Sequence, residues 1–170
     1  MSKVISILNC DCRYGIGKRN GLLFRLPADM AFFKASTMGH VVAMGENTLL
    51  SFPKQKPLPN RTNIVLSQDP THNYENVINV HSFDEFLGKI LEFCKENDVF
   101  IIGGASIYRQ MIPYVDEVWL NKVDADGEAE VFFENLDERE DYELIEQREP
   151  VLDNGYTTRI CIYRNKSPKR

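Results

Sequence analysis

Five short runs of apolar and β-branched residues punctuate the first two thirds of the chain: Val4-Ile-Ser-Ile-Leu8, Val41-Val-Ala-Met44, Asn63-Ile-Val-Leu66, Asn76-Val-Ile-Asn-Val80 and Val99-Phe-Ile-Ile102. Near-continuous apolarity means that both faces of such a strand are covered, the mark of a parallel sheet between helices. Helical patterns separate the runs. Pro27 to Met38 opens with proline in its first turn and stops before Gly39, and Ser82-Phe-Asp-Glu85 is a capping box. That box opens a helix over 83–96, on which Phe83, Phe86, Leu87, Ile90, Leu91 and Cys94 share one face. A short helix, Ala105 to Met111, leaves Gly103-Gly104 and ends near Pro113. Beyond it the pattern changes to alternation, in Glu117 to Val123, Tyr142 to Glu146 and Tyr156 to Tyr163. Alternation with period two predicts strands, the last two joined as a hairpin through Asp153-Asn-Gly-Tyr156. The expected fold is α/β: a central mixed, mostly parallel sheet with helices on both faces and an antiparallel C-terminal hairpin. It forms one domain over 1–165, followed by a basic tail at 166–170.

Composition narrows the classes. With 170 residues, 43% of them hydrophobic, the chain can bury a core without metal or disulfide. Cys10 and Cys12 are separated by one residue instead of the two of a zinc or redox pair, so all four cysteines, with Cys94 and Cys161, read as reduced, buried, structural thiols and no metal site is expected. The amino terminus enters a strand pattern without a signal-peptide core, and no run approaches the ~20 apolar residues that span a bilayer. The expected compartment is the cytoplasm, with no membrane partner. A net charge of −5 and dispersed histidines leave no basic stripe for nucleic acid. Lys54, Lys56 and Arg61, interleaved with prolines, form a local basic group suited to a small anion.

Two features carry candidate chemistry. Leu26, Met30, Phe33 and Thr37 share a helical face, and Asp29 borders it, which aims a carboxylate toward apolar surface. The simpler reading is a first-turn acid complementing the helix dipole, worth ~0.3–1 kcal/mol. Second, Ile101-Ile-Gly-Gly-Ala-Ser runs from a strand into a helix start, where free backbone amides can bind phosphate, although a tight turn alone also explains the glycines. Met44-Gly45-Glu46-Asn47-Thr48 repeats the design, so two helix starts are placed to clasp one dinucleotide.

Taken in order, Gly15-Ile16-Gly17, Leu26-Pro27-Ala28-Asp29, Phe32-Phe33, Met44-Gly45-x-x-Thr48, Pro57-Leu58-Pro59-x-Arg61-x-Asn63, Leu66-Ser67 and Ile102-Gly103-Gly104-x-x-x-Tyr108 resemble the successive motifs of the dihydrofolate reductase family, over about residues 3 to 164. The resemblance implies reduction of 7,8-dihydrofolate to tetrahydrofolate, which feeds one-carbon metabolism and thymidylate synthesis and makes the enzyme an antifolate target. Asp29 would bind the pterin 2-amino group and N3, and assist protonation at N5 while hydride from NADPH reaches C6. An iminium accepts hydride far more readily than a neutral imine, so a carboxyl group in a dry cleft suits the task. The same resemblance places Met30, Phe33, Phe52, Leu58 and Ile102 against the substrate rings, Arg61 on the glutamate α-carboxylate, and Tyr108 beside the nicotinamide. It assigns Asn9, Ile16, Gly17, Gly45, Glu46, Asn47, Thr48, Leu66, Ser67, Gln68 and His81 to the cofactor, with Gly103, Gly104, Ala105, Ser106 and Ile107 around the pyrophosphate. Residues 12–25 resemble an active-site lid, and a monomer is implied.

The chain departs from the pattern at three of these positions. Phe24 stands where the family's lid has tryptophan, and it can pack but cannot donate a hydrogen bond. Asn121 replaces a threonine near the carboxylate, with an amide that can both donate and accept. Glu46 replaces the arginine that pairs with the 2′-phosphate of NADPH, which opens NADH as a cofactor. These departures keep two alternatives in view: a sister reductase of another heterocycle, of the riboflavin-pathway type, and a folate- or nucleotide-binding module with weak turnover.

Overall fold

The computed structural model describes residues 2–19 and 21–170. Met1, where the 1–165 domain begins, and Asn20, within the 12–25 segment, lie outside the described residues. The elements in chain order are β1 (Val4–Cys10), β2 (Gly15–Gly17), α1 (Pro27–Thr37), β3 (Val41–Gly45), α2 (Glu46–Leu50), β4 (Thr62–Leu66), β5 (Ile78–Val80), α3 (Phe83–Cys94), β6 (Val99–Ile101), α4 (Ala105–Met111), β7 (Glu117–Val123), β8 (Val131–Phe132), β9 (Tyr142–Gln147), β10 (Val151–Asp153) and β11 (Tyr156–Asn165).

Among the described residues, nine strands form one sheet in the order β10-β11-β7-β1-β6-β3-β4-β5, with β9 also paired to β11. Strands β7, β1, β6, β3, β4 and β5 run parallel, while β11 is antiparallel to its three neighbours, which is the mixed sheet expected. The expected antiparallel C-terminal hairpin is present, but its first strand is corrected. The strand that turns through Asn154 and Gly155, both at positive φ (50° and 86°), is β10, and β9 pairs with the other half of the same β11 edge. Both φ values suit a two-residue hairpin turn.

Central strands are covered on both faces, and Val41 to Met44 are each at most 2% exposed. Ile5, Ile7, Val42, Met44, Val65 and Phe100 point to one side, where Phe32 and Phe33 of α1 and Leu49 of α2 pack. Val4, Val41, Ala43, Val99 and Ile101 point to the other, against Phe86 and Ile90 of α3 and Ile107 and Met111 of α4. Side-chain alternation along each strand therefore sorts the helices into two layers.

Several local expectations shift. Helix α1 ends at Thr37, with the Met38 N–H closing onto the Lys34 carbonyl, and Met30 on its predicted inner face is 58% exposed. Ser82 caps α3 by accepting from the Glu85 N–H, but Glu85 reaches back to the His81 N–H, one residue beyond the reciprocal position. The strand expected over 76–80 is confined to Ile78–Val80, because Asn76 takes a turn at φ 61°. All four cysteines are free; Cys10 and Cys161 are buried as expected, whereas Cys94 is half-buried and Cys12 exposed. Burial pushes the Cys10 thiol up to about 12, so it is inert at neutral pH. Among the described residues no helix is long and apolar enough to cross a membrane.

Phe100 is 1% exposed and meets the Trp119 ring edge-on at 5.7 Å, at the centre of one layer. Phe100→Ala is expected to lower the unfolding free energy by about 3–5 kcal/mol in urea titrations. Leu152→Ala, at a side chain 75% exposed on the outer hairpin, is expected to change it by less than about 0.5 kcal/mol.

Candidate active site

The start of α1 has no side-chain cap of its own, since Leu26 occupies the cap position. The cap comes from far along the chain. Buried Asp153 in β10 accepts from the backbone N–H of Ala28 through one oxygen and of Asp29 through the other, both at 3.0 Å. A carboxylate there satisfies two orphan donors and complements the helix dipole. The hairpin turn adds a third tie, from Asn154 Nδ2 to the Arg25 carbonyl at 2.9 Å.

Fixed in this way, Asp29 directs its half-buried side chain at the sheet. Asn9 Nδ2 donates to one carboxylate oxygen and Asn121 Nδ2 to the other, each at 2.9 Å. Asn9 and Asn121 are register partners on parallel neighbours β1 and β7, so their side chains stand together on the α1 face. Asn121 Oδ1 is buried and has no hydrogen-bond partner among the described residues. Asn9, which the resemblance grouped with the cofactor, thus has its amide on the carboxylate.

Phe33, Phe52, Leu58 and Ile102 are half-buried against the same apolar layer, so four of the expected substrate-lining residues come together, and Met30 is 58% exposed. Asn63 explains how Leu58 is presented. Its buried amide accepts from the Leu58 N–H and donates to the Leu58 and Arg61 carbonyls, stapling the loop 58–61. Arg61 in that loop is half-buried, its Nε has no partner among the described residues, and desolvation holds its guanidinium below the usual arginine range. No carboxylate of the described residues forms an ion pair with it, so its charge suits an external anion. Lys54 and Lys56 are exposed. Tyr108 is buried on the opposite layer, its hydroxyl donating to the Ile7 carbonyl at 2.8 Å. Burial raises its pKa, and the nearby charge of Asp29 adds to the rise.

The two glycine-bearing helix starts are joined, with the Gly45 N–H donating to the Gly103 carbonyl at 2.9 Å. Gly103 sits at φ 119°, and a Cβ there would stand 3.2 Å from the Tyr108 ring, so glycine is required. Neither α2 nor α4 has a side-chain cap, and the space beside Gly104 opens toward Thr48 Oγ1. A bare cradle with uncapped amides on two sides fits a pyrophosphate. Around it Asn47, Gly104 and Ser106 are exposed and Ala105 is half-buried, while Ile107 is a core residue.

At the outer end of the cradle, Ser67 and Leu66 are buried at the end of β4, Gln68 is exposed, and His81 has one ring nitrogen 2.9 Å from the Ser67 carbonyl and the other 2.9 Å from Asn73 Oδ1. Glu46 has partners of its own. It accepts from the Tyr74 hydroxyl at 2.6 Å, and His72 Nδ1 lies 2.8 Å from the same oxygen. The Tyr74 bond is the main reason its carboxyl falls below the usual range, and that bond pushes the Tyr74 hydroxyl up to about 12. His72, Asn73 and Tyr74 were not anticipated, and the polar stretch between the third and fourth runs was the only signal.

Two parts of the 12–25 segment, around β2 and Phe24, are docked. Gly15 and Gly17 of β2 pair with Phe132 and Val131 of β8, a small sheet with no periodic signature in sequence. Asp11 fastens its root: one oxygen accepts from Arg13 N–H and Gly15 N–H, the other from Gly127 N–H at 3.0 Å. A Cβ on Gly15 would stand 2.3 Å from Ala129 Cβ, so only glycine fits. Ile16 packs half-buried against the core, and Phe24 stacks edge-on against Tyr156 at 4.9 Å beside Leu26 and Val123. A hollow of about 420 Å³ lined by Cys10, Tyr14, Lys122 and Arg159 opens on the other side of the sheet, and Lys122 there is already bound to Tyr163 and Asp137.

A family model described as dihydrofolate reductase matches residues 3–165. The chain is 32% identical over 167 residues to the dihydrofolate reductase of Bacillus subtilis, covering 96% of this chain and 95% of that one. It is 34% identical over 152 residues to the one from Haemophilus influenzae, with 89% and 91% covered. The solved structure of dihydrofolate reductase from Enterococcus faecalis, complexed with NADP(H) and RAB-propyl, aligns with a TM-score of 0.83 at 29% identity over 97% of both chains.

Asp11 supplies a pH prediction. Burial alone would raise its pKa, but three backbone donors outweigh that and hold the carboxyl below its ordinary 3.8. A depressed native pKa gives stability that is complete above the unfolded value and lost as pH falls through the native one. Asp11→Asn is therefore expected to lower stability by roughly 2–3 kcal/mol at pH 7. The gap between variant and parent should shrink below about pH 4, read as urea midpoints at both pH values.

Proposed function

This chain belongs to the dihydrofolate reductase family, and from that premise we propose how its own residues carry out the reduction of dihydrofolate. The observation that carries the reading is the Asp29 carboxylate, clasped by Asn9 and Asn121 beside the apolar group of Phe33, Phe52, Leu58 and Ile102. Each carboxylate oxygen has two acceptor sites, and one amide occupies one on each. The two left over match a pair of parallel N–H donors, such as the pterin 2-amino group and N3. Asp29 then anchors the ring and assists delivery of a proton to N5, so that C6 becomes a better hydride acceptor. Arg61 holds the acidic tail through a bidentate pair, and Leu58, fixed by the same Asn63 staple, packs on the ring that joins tail to pterin. Phe24, without a donor, completes the apolar wall of the lid and leaves water unordered by an indole there. The whole is read as a cytoplasmic monomer acting on small molecules.

The cofactor proposed is NADPH, which supplies the hydride when bound. The Gly103-Gly104 cradle and the uncapped starts of α2 and α4 would hold its pyrophosphate, with Thr48 alongside. At the 2′ position Glu46 opposes a phosphate, but Tyr74 and His72 already occupy one of its oxygens, which moderates the repulsion. The consequence is NADPH use with a weakened preference over NADH.

Following reduced-cofactor absorbance with dihydrofolate tests the first part. Asp29→Asn is expected to lower kcat/KM at neutral pH by a factor of about 10² or more, and the exposed-helix control Glu92→Gln to leave it unchanged. Tight folate binding without turnover would instead identify a binding module, and turnover of another heterocycle alone a sister reductase. For the cofactor, Glu46→Arg is expected to raise the ratio of kcat/KM for NADPH over NADH by about tenfold or more. An unchanged ratio would mean that this side chain does not read the 2′ position.

A further inference from the structure

Packing does not explain the side chain of Asn9. It is half-buried near the carboxyl end of β1, on the face where Ile5 and Ile7 precede it, and an apolar residue would continue that pattern. Its amide instead donates to Asp29 Oδ2 at 2.9 Å, the counterpart of the Asn121 bond to Oδ1. The two asparagines are register partners, so they stand side by side and approach the carboxylate together.

A carboxylate with one donor can still turn about its last side-chain bond. With a separate donor on each oxygen its plane is set, and so are the directions of its unused acceptor sites. Asp153 has already fixed the backbone of Asp29 through the helix start, which leaves the two side-chain rotations of Asp29 for the paired amides to set. Asn121 Oδ1, in the same group, is buried and has no hydrogen-bond partner among the described residues, whereas the one side-chain bond of Asn9 among them is to Asp29.

We propose that Asn9 is a positioning residue of the reaction: it locks the plane of the Asp29 carboxylate so that the acceptor sites facing the cleft meet the pterin edge, and its side chain takes no part in holding the cofactor. This rests on the reading of Asp29 as the pterin-binding carboxylate.

The test compares parent, Asn9→Leu, which keeps the side-chain shape without the amide, and Asn9→Gln, which carries the amide on a longer arm. Steady-state kinetics with dihydrofolate are measured beside the Kd for NADPH, read from the fluorescence of the chain's single tryptophan, Trp119. Asn9→Leu is expected to lower kcat/KM for dihydrofolate by roughly ten- to a hundredfold, the loss of one charge-assisted hydrogen bond, with Kd for NADPH within about twofold of parent. Asn9→Gln is expected to recover part of that loss. Equal losses in both variants would assign Asn9 to packing, and a rise in Kd for NADPH matching the loss with dihydrofolate would return it to the cofactor; either result overturns the proposal. So does parent-like turnover by Asn9→Leu, and in those cases an Asp29→Asn variant that remains inactive keeps the reading of Asp29 intact. A parent chain that fails to reduce dihydrofolate overturns the reading and the proposal together. Should Asn9→Leu not fold, Asn9→Ala takes its place with the same expected pattern.

Discussion

A charged group at the edge of an apolar layer must find partners or give up its charge, because an unpaired carboxylate out of water is costly by several kcal/mol. Asp29 meets this constraint through two asparagines, in a region built from four elements that are far apart in sequence. Its helix start is capped by Asp153 of β10, its carboxylate is clasped by Asn9 of β1 and Asn121 of β7, and Tyr108 of α4 ties the same region to the Ile7 carbonyl. The sheet order makes the arrangement possible. β1 and β7 are parallel neighbours in the middle of the sheet, and β11, which carries β10 on its far edge, lies next to β7.

The layout of the molecule was legible wherever a residue's role depends on its near neighbours in the chain. Continuous apolar runs foretold the parallel strands, and the Gly103-Gly104 step foretold the start of α4 at Ala105. What stayed hidden depends on partners brought in by folding. Asp153 caps a helix 124 residues away, and nothing in its own stretch announces that. The pairing of Asn9 with Asn121 is a matter of strand register, which hydrophobic pattern alone does not determine when the residues concerned are polar. The C-terminal hairpin was assigned the wrong first strand because two segments share one edge of β11, and Tyr142 to Gln147 has the stronger alternation. Met30, on the same helical face as buried Leu26 and Thr37, is 58% exposed, because a helical face predicts direction and not what lies opposite it.

The two sides of the site differ in how their charge is managed. Around Asp29 the partners are neutral amides, which orient the carboxylate without neutralising it. Around Glu46 they are an imidazole and a phenol, which both occupy the same oxygen. A family resemblance identifies the positions in both places, but only the folded surroundings distinguish a carboxylate held ready from one already engaged.

Asn63 contributes no atom to the chemistry, yet its amide holds the chain on both sides of the Leu58–Arg61 loop. An apolar contact and a cation are thereby kept a set distance apart, as the jaws of a calliper are. A ligand with a shorter or longer link between its aromatic ring and its anion could fill one jaw or the other, and would gain the binding energy of only one.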